Sequence, residues 1–231
     1  MSPSRSTAPR AAIAPLLHES LGERVYRTVR DLILSQVFPP GSKVNVEQIC
    51  RDLGVSRTPV WDTMRRLESE GLVNTVPRHG VFVLNYGDAQ VRDLFAVRGT
   101  LEALAVRQAA TNPEARALLE PAMKEMEEAV ATGAMERYSR AAIDFHDRML
   151  IAARNQMLGR LLENVYAQIL VLRLRSLYLP ERLESSAAGH RALFEAVVAG
   201  DGEGGERLAR AHADHVLQDA LEFTRRSERE R

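Results

Sequence analysis

The sequence predicts a mostly α-helical protein with an N-terminal winged helix-turn-helix and a C-terminal antiparallel, all-helical bundle of about six helices. Three observations lead to this fold class. Two short amphipathic segments meet at a glycine, a basic turn between β-prone segments follows them, and apolar residues then recur at spacings of three and four. We expect a flexible tail at 1–17, the winged domain at 18–85 and the bundle at 86–231.

The composition is that of a soluble globular protein. The chain has 231 residues, of which 45% are hydrophobic and 27% charged, and this length can bury a sizeable core. Net charge is zero, but residues 1–85 hold 11 Lys+Arg against 8 Asp+Glu (+3), whereas residues 86–231 hold 20 against 23 (−3). The positive charge of residues 1–85 suits an N-terminal DNA-binding domain. The zero net charge of the whole chain argues against a structural nucleoid protein that coats nucleic acid nonspecifically.

Nothing in the chain predicts secretion or a membrane. The single Cys50 cannot form an intrachain disulfide, and no apolar run approaches the roughly 20 residues of a membrane helix. The N-terminus has Arg5 and Arg10 but no continuous apolar stretch typical of a signal peptide, so we expect a cytoplasmic protein. Residues 1–17 are rich in Ser, Pro, Ala and Arg; a flexible tail is expected, and a basic arm on DNA is the alternative.

The winged domain should open with a helix at about 21–36, followed by two helices joined by a tight turn. The first of these two ends at Gly54, a residue suited to a helix C-cap. Ser56 can cap the second, and Pro59 fits its first turn, where a missing N–H costs little. The apolar residues expected on the inner faces are Val25, Val29, Leu32, Ile33, Val46, Ile49, Leu53, Val60, Met64 and Leu67.

The second of these two helices presents a polar outer face with Arg57, Trp61 and Arg65, as a major-groove reading helix does. The turn 77–80 between β-prone residues is basic and predicts a wing that lies along the neighbouring minor groove. A helix-turn-helix used only for packing is the alternative, and the pairing of helix and wing argues against it. The candidate DNA-contacting residues are Arg51, Ser56, Arg57, Thr58, Trp61, Arg65, Arg78, His79 and Gly80.

Beyond residue 88 the chain reads almost entirely as helix. Runs such as Leu158, Leu161, Leu162, Val165 and Ile169 form stripes that a single helix cannot bury, so the helices should pack against one another. The predicted segments are 88–110, 113–131, 134–154, 156–178, 184–200 and 203–225.

These motifs resemble bacterial GntR-type regulators of the FadR group with an FCD-type effector domain. The N-terminal likeness lies in the runs 53–60 and 67–73, together with Gly41. The C-terminal likeness lies in Arg98, Glu102, Phe145, His146, Asn155, His190 and His212. The resemblance implies a homodimer that binds a short palindromic DNA operator and a small carboxylate metabolite.

Two positions depart from the family's pattern. Trp61 stands where relatives carry a DNA-contacting Arg; it could touch a thymine methyl or a sugar, or pack against the wing. Ala142 stands where relatives commonly carry a metal-binding Asp, four residues before His146. Asp144 should face elsewhere, because two residues span about 200° of a helix.

Three histidines on three predicted helices form a candidate site for a divalent metal such as Zn²⁺ or Ni²⁺: His146, His190 and His212. Hydrogen-bonded core histidines without metal are the alternative, and His215 competes with His212 as the inward residue. Without the family's carboxylate, a bound ion would keep an extra position for water or an effector.

Arg98 should point into the same bundle, where its guanidinium could bind an effector carboxylate or pair internally with Glu102. Arg175, with Arg173 as its alternative, and Arg148 are further effector-binding candidates, against exposed helix faces as the ordinary explanation. We therefore expect a ligand-responsive regulator, most simply a repressor and not an enzyme. The alternative is a metal-dependent hydrolase that carries a DNA-binding domain, for which no general base is evident.

Overall fold

The computed structural model describes residues 20–176 and 183–229, and the side chains of 20–171 and 183–222. The tail predicted at 1–17 lies outside the described residues. In chain order the elements are α1 (Leu21–Leu34), β1 (Lys43–Val44), α2 (Val46–Leu53), α3 (Arg57–Ser69), β2 (Val73–Val76), β3 (Gly80–Val83), α4 (Asp88–Ala109), α5 (Ala115–Ala131), α6 (Met135–Ala153), α7 (Gln156–Ser176), α8 (Leu183–Val198) and α9 (Gly202–Arg229).

The N-terminal part is a winged helix-turn-helix. Helices α1, α2 and α3 pack on an antiparallel sheet with the strand order β1-β3-β2. The wing formed by β2 and β3 was predicted, whereas β1 was not, because a two-residue strand carries no periodic signal. It is defined by its pairing, in which Lys43 lies opposite Phe82 and Val44 opposite Val81.

Local sequence signals explain the tight turn before α3. Gly54 ends α2 with φ 63°, a left-handed conformation in which glycine costs little. Ser56 occupies the N-cap position of α3 as predicted, but its side chain makes no capping hydrogen bond. Two other expectations need correction, since Leu53 is 36% exposed at the end of the two-turn helix α2 and Leu32 is only half-buried.

The described residues of the C-terminal part form helices, as predicted, and the helix bounds lie within two residues of the predicted ones except at the end of α9. Helix α4 packs along α9, and α5 packs along α6. Small residues and methionines dominate the core, including Ala109, Ala142 and Met126, each with 0% exposure. No helix in the described part of the chain is both long and apolar enough to cross a membrane.

The two parts are joined by side chains as well as by the chain. Ala167 and Val171 of α7 belong to the same core as α1 and α3. The Gln168 side chain donates from Nε2 to the Glu70 carbonyl at 2.9 Å, and Gln36 Nε2 donates to the Val171 carbonyl at 3.0 Å. Helix α7 therefore packs against both parts, and any site beside it lies close to the winged domain.

Candidate metal centre and nucleic-acid interface

Three buried imidazoles converge inside the helical part. His146 of α6, His190 of α8 and His212 of α9 each offer one nitrogen, and these three nitrogens lie within 4.8 Å of one another. The side chains are nearly inaccessible, with exposures of 6%, 0% and 5%. The helix crossing therefore brings together the three histidines that the sequence singled out, and His215 is not one of them, since it is exposed beside Ser185.

Hydrogen bonds define which nitrogen of His190 faces the cluster. His190 Nδ1 lies 2.8 Å from the Ser186 carbonyl, which can only accept, so Nδ1 carries the proton. The Tyr138 hydroxyl supports this ring, lying 3.2 Å from the same Nδ1 and donating to Ser186 Oγ. The lone pair of His190 is therefore on Nε2, which points to the other imidazoles.

The residues present fit a divalent ion. The two Nε2 atoms of His146 and His190 are 3.3 Å apart. Nitrogens bound to one tetrahedral zinc at 2.0–2.1 Å lie about 3.3 Å from each other. A hydrogen bond between the two rings would have a similar length, so the geometry accommodates both forms. Imidazole donors suit Zn²⁺, Ni²⁺ and related ions.

One carboxylate lies behind the cluster. Glu102 Oε1 is 3.4 Å from His146 Nδ1, on the side of the ring away from Nε2, and it accepts from the Tyr166 hydroxyl at 2.9 Å. A carboxylate in this position orients a metal-binding histidine without binding the ion itself. Ala142 is fully buried and offers no ligand, while Asp144 is turned away, as predicted, to pair with Arg148.

Arg98 and Glu102 form a buried pair in which Arg98 Nε donates to Glu102 Oε1 at 2.9 Å. Their exposures are 1% and 3%. Within the part of the chain that the structure describes, Arg98 Nη1 and Glu102 Oε2 have no hydrogen-bond partner. An incompletely bonded guanidinium in such a position is costly unless a further acceptor reaches it. The internal ion pair expected as one alternative is thus present, and it leaves Arg98 able to bind more.

A cavity of about 270 Å³ lies beside this pair. Its lining comes from α1, α4, α6 and α7, and comprises Arg30, Leu34, Arg98, Ile143, His146, Asp147, Glu163, Tyr166, Ala167, Ile169 and Leu170. Burial raises the pKa of Asp147, and the neighbouring carboxylates of Asp144 and Glu163 raise it further. The volume suits a small metabolite, and Arg98 and His146 supply polar contacts on its wall.

Of the other two effector candidates, Arg148 does not join Arg98. Arg148 donates to Asp144 Oδ2 at 2.6 Å and to the Leu118 carbonyl at 3.1 Å, and it does not line the cavity. It lies two residues after His146 and so leaves the helix on another side. The structure therefore places Arg148 outside this cavity. The side chain of Arg175 lies outside the described residues.

The reading face of α3 is exposed and polar. Arg57 is exposed and forms an ion pair with Glu47 at 2.7 Å, and Arg65 pairs with Asp62. Trp61 is 37% exposed on the same helix, so part of its side chain lies at the surface. Surface ion pairs of this kind contribute little to stability and can open when phosphates approach.

The remaining candidates surround this helix. Arg51, Ser56 and Thr58 are exposed near its N-terminal end, and Arg51 donates to Gln48 Oε1 at 2.6 Å. The wing turn is held by left-handed backbone at Arg78 (φ 65°) and Gly80 (φ 113°), with Arg78 and His79 exposed.

One basic residue beside the wing, Lys43 of β1, was missed. The Lys43 side chain lies against Gly80, so close that a Cβ at Gly80 would be 2.9 Å from Lys43 Cε. Its alternation with buried Val44 was the only local signal, and it is too short to predict a strand. Lys43 adds a third basic or titratable side chain to the wing beside Arg78 and His79.

Comparison with known proteins agrees with both halves of this description. The gntR family of bacterial regulatory proteins matches residues 21–83, and the FCD domain matches residues 93–215. The "Uncharacterized HTH-type transcriptional regulator YdhC" of Bacillus subtilis is 29% identical over 193 residues, 82% of this chain and 86% of that protein. The "Probable D-xylose utilization operon transcriptional repressor" of Paenarthrobacter nicotinovorans is 30% identical over 215 residues, 86% of this chain and 92% of that protein.

The same architecture occurs in a solved structure, that of Escherichia coli McbR/YncC. It superimposes with a TM-score of 0.74 at 21% identity and covers 89% of this chain and 99% of that one. The winged domain, the helical domain and their order thus agree in sequence and in fold. The chain belongs to the GntR family of bacterial transcription regulators, with a DNA-binding helix-turn-helix followed by an FCD domain.

Proposed function

We propose that this regulator is a homodimeric repressor whose affinity for a short palindromic operator is set by a small organic acid bound in the FCD domain, together with a divalent metal ion such as Zn²⁺ or Ni²⁺. The observation that carries the proposal is the buried Arg98, which lines the cavity beside His146 and has an unsatisfied Nη1. A carboxylate is the acceptor that best matches a guanidinium in a site shielded from water.

The proposed metal would be held by His146, His190 and His212, with Glu102 orienting the first of them. When bound, the ion would supply a positive charge at the inner end of the cavity. The residues themselves would do the rest: Arg98 would bind the acid, and the apolar wall at Ile169 would exclude water from it.

On the DNA side, Arg57, Arg65 and the wing would contact phosphates and set the position of the domain, while side chains of α3 such as Trp61 would meet the base edges. The uncapped N-terminal amides of α3 beside Ser56 favour a nearby phosphate. We propose repression, as opposed to activation, because the D-xylose operon relative is named a repressor.

Dimerisation is proposed through the outer face of α4. Val97 and Leu104 lie seven residues apart on that helix with 50% and 40% of their surface exposed, and Leu208 of the adjacent α9 is 39% exposed. Exposed apolar residues along packed helices are typical of a contact between copies. A Val97→Glu, Leu104→Glu variant should therefore elute as a monomer in size-exclusion chromatography with light scattering.

The sensing proposal is tested by a thermal-shift screen of mono-, di- and tricarboxylic acids, each with and without Zn²⁺ or Ni²⁺, followed by fluorescence anisotropy with DNA from upstream of the protein's own gene. We expect at least one acid to raise the melting temperature and to weaken DNA binding. In Arg98→Lys, which keeps the charge but loses the planar fork, acid affinity should fall at least tenfold with metal affinity unchanged. Equal acid binding by both proteins would refute the assignment of Arg98.

A further inference from the structure

We propose that the effector is held by both domains at once: Arg30 of the winged domain binds the second acidic group of a short dicarboxylic acid, and the contacts of Tyr26 with Glu70, which tie α1 to α3, carry the signal to α3. The inference rests on the proposed acid sensing and extends it to the coupling mechanism. Its basis is that α1 contributes Arg30 and Leu34 to the cavity that also contains Arg98 and His146.

The two guanidiniums in the cavity differ in their state. Arg98 is 1% exposed and already pairs with Glu102, and its open Nη1 can donate to one more anionic oxygen. The Arg30 side chain is 31% exposed, and its ion pair with Glu70 is a long one, with 4.0 Å between Nε and Oε2. Arg30 therefore has the freedom to turn toward a bound anion.

Glu70 does not depend on Arg30 for its hydrogen bonds. Both of its carboxylate oxygens accept from the Tyr26 hydroxyl, at 2.7 and 2.8 Å, and Oε1 also accepts from Arg66 Nε at 3.3 Å. Losing a 4.0 Å contact to Arg30 leaves this carboxylate bonded. Moving Arg30 from Glu70 to a ligand therefore costs the folded protein little free energy.

The charges on the cavity wall indicate the class of ligand. Arg30 and Arg98 can each take one carboxylate, which favours a molecule with two acidic groups. Asp147 and Glu163 also line the cavity and can only accept when ionised, which favours hydroxyl groups between the acids. A volume of about 270 Å³ limits the ligand to a short chain. A hydroxylated dicarboxylic acid of about four carbons satisfies all three conditions.

The position of Glu70 explains how occupancy would reach DNA. Glu70 is the C-cap residue of α3, and its carbonyl accepts from Gln168 of α7 at 2.9 Å. The Arg66 guanidinium lies over the Tyr26 ring at 3.4 Å, which ties α1 to α3. A ligand that binds Arg30 would hold α1 against the bundle, and α3 would follow because the Tyr26 and Glu70 contacts move with it. The coupling equals the difference in acid affinity between the two arrangements.

The test uses the full-length chain, saturated with Zn²⁺, as wild type, Arg30→Ala, Arg30→Lys and Arg24→Ala. Arg24 lies on the same helix, is exposed and does not line the cavity, so it controls for loss of one positive charge. L-malate and tartrate are the probes, with succinate as their counterpart lacking hydroxyls, measured by calorimetry and by anisotropy of upstream DNA. We expect a loss of acid affinity of at least tenfold in Arg30→Ala, partial recovery in Arg30→Lys, and wild-type behaviour in Arg24→Ala. Zn²⁺ affinity should stay within twofold throughout.

The outcomes separate this inference from the function on which it rests. If Arg30→Ala binds malate or tartrate as tightly as wild type, or if Arg24→Ala loses as much affinity, Arg30 is not part of the site, and acid sensing stands. If Arg30→Ala loses acid affinity but the acid still weakens its DNA binding at saturation, the coupling through Glu70 is wrong. If wild type binds neither probe while another acid shifts its melting temperature, the ligand class is wrong. If no acid binds wild type, both proposals fail together.

Discussion

His146 and His190, 44 residues apart in sequence, face each other through their Nε2 atoms at 3.3 Å inside the FCD domain. Helices α6 and α8 impose this approach, and the Ser186 carbonyl orients one of the two rings. Two imidazole nitrogens at this separation are joined either by a hydrogen bond or by a shared metal ion.

Replacing His190 by Ala should abolish specific zinc binding. The variant removes one of three converging nitrogens, and we expect at least a 100-fold loss of affinity because two histidines alone rarely hold Zn²⁺ in a protein. Zinc retained after dialysis, measured by elemental analysis, should fall from about one ion per chain to background. His215→Ala is the matched control, since this residue is exposed on the same helix as His212. A wild type without zinc after loading would identify the cluster as a hydrogen-bonded core.

Replacing Ala142 by Asp should strengthen metal binding while weakening the metal-free fold. Ala142 is fully buried one turn before His146, so a side chain at this position lies on the same side of α6 as His146. An unpaired buried carboxylate costs about 3 kcal/mol of unfolding free energy, which a bound ion would offset. In urea unfolding, the variant should have a much lower unfolding free energy than wild type in EDTA, and Zn²⁺ should restore it. In Ala141→Asp, at the adjacent buried position, zinc should not restore stability.

Replacing Arg57 by Ala should weaken DNA binding roughly evenly across sequences. Arg57 is exposed at the start of α3, and release of its Glu47 partner leaves a cation for a phosphate. Loss of one phosphate contact lowers the slope of log affinity against log salt by about 1. Anisotropy titrations at several salt concentrations provide the measurement. Arg116→Ala, an exposed change on α5, should leave the curves unchanged; an unaltered slope in Arg57→Ala would remove this residue from the interface.

Replacing Tyr26 by Phe should destabilise the winged domain by about 1 kcal/mol, because Glu70 loses its hydroxyl donor. Burial raises the pKa of Tyr26 to about 12, and the hydrogen bond and charge of Glu70 add to the effect. The unfolded value is about 10. The difference in unfolding free energy between wild type and variant should thus be largest below pH 10 and disappear as pH rises through 12. Denaturant unfolding at pH 7, 10 and 12 measures it, and a difference independent of pH would contradict the assignment.

Replacing Asp147 by Asn should stabilise the protein slightly at neutral pH. The folded state disfavours the ionised carboxylate through burial and through Asp144 and Glu163, which is why the pKa of Asp147 is raised. Below the unfolded value of about 3.9, both states are protonated and the cost vanishes. The advantage of Asn over Asp should therefore shrink as pH falls from 7 toward 4. Urea midpoints at a series of pH values test this, with Asp93→Asn on α4 as an exposed control.

Local patterns predicted most of the secondary structure correctly. Apolar spacing located the helices, and Gly54 and Ser56 marked the turn before α3, because caps and amphipathic stripes act within a few residues. The Leu72–Val83 region was correctly predicted to form a wing. Strand β1 was not predicted, because Lys43 and Val44 form a strand only by pairing with β3.

The candidate site likewise depends partly on local sequence and partly on tertiary packing. The sequence by itself determined the reading helix, the wing and the residue types that could bind a metal or an acid. Only the tertiary structure decided that His212 and not His215 faces the other imidazoles, that Arg148 turns away to Asp144, and that Arg30 of the winged domain lines the cavity. The physical reason is that helical spacing sets which side of a helix a residue occupies, whereas the crossing of α1, α6, α7, α8 and α9 sets what that side meets.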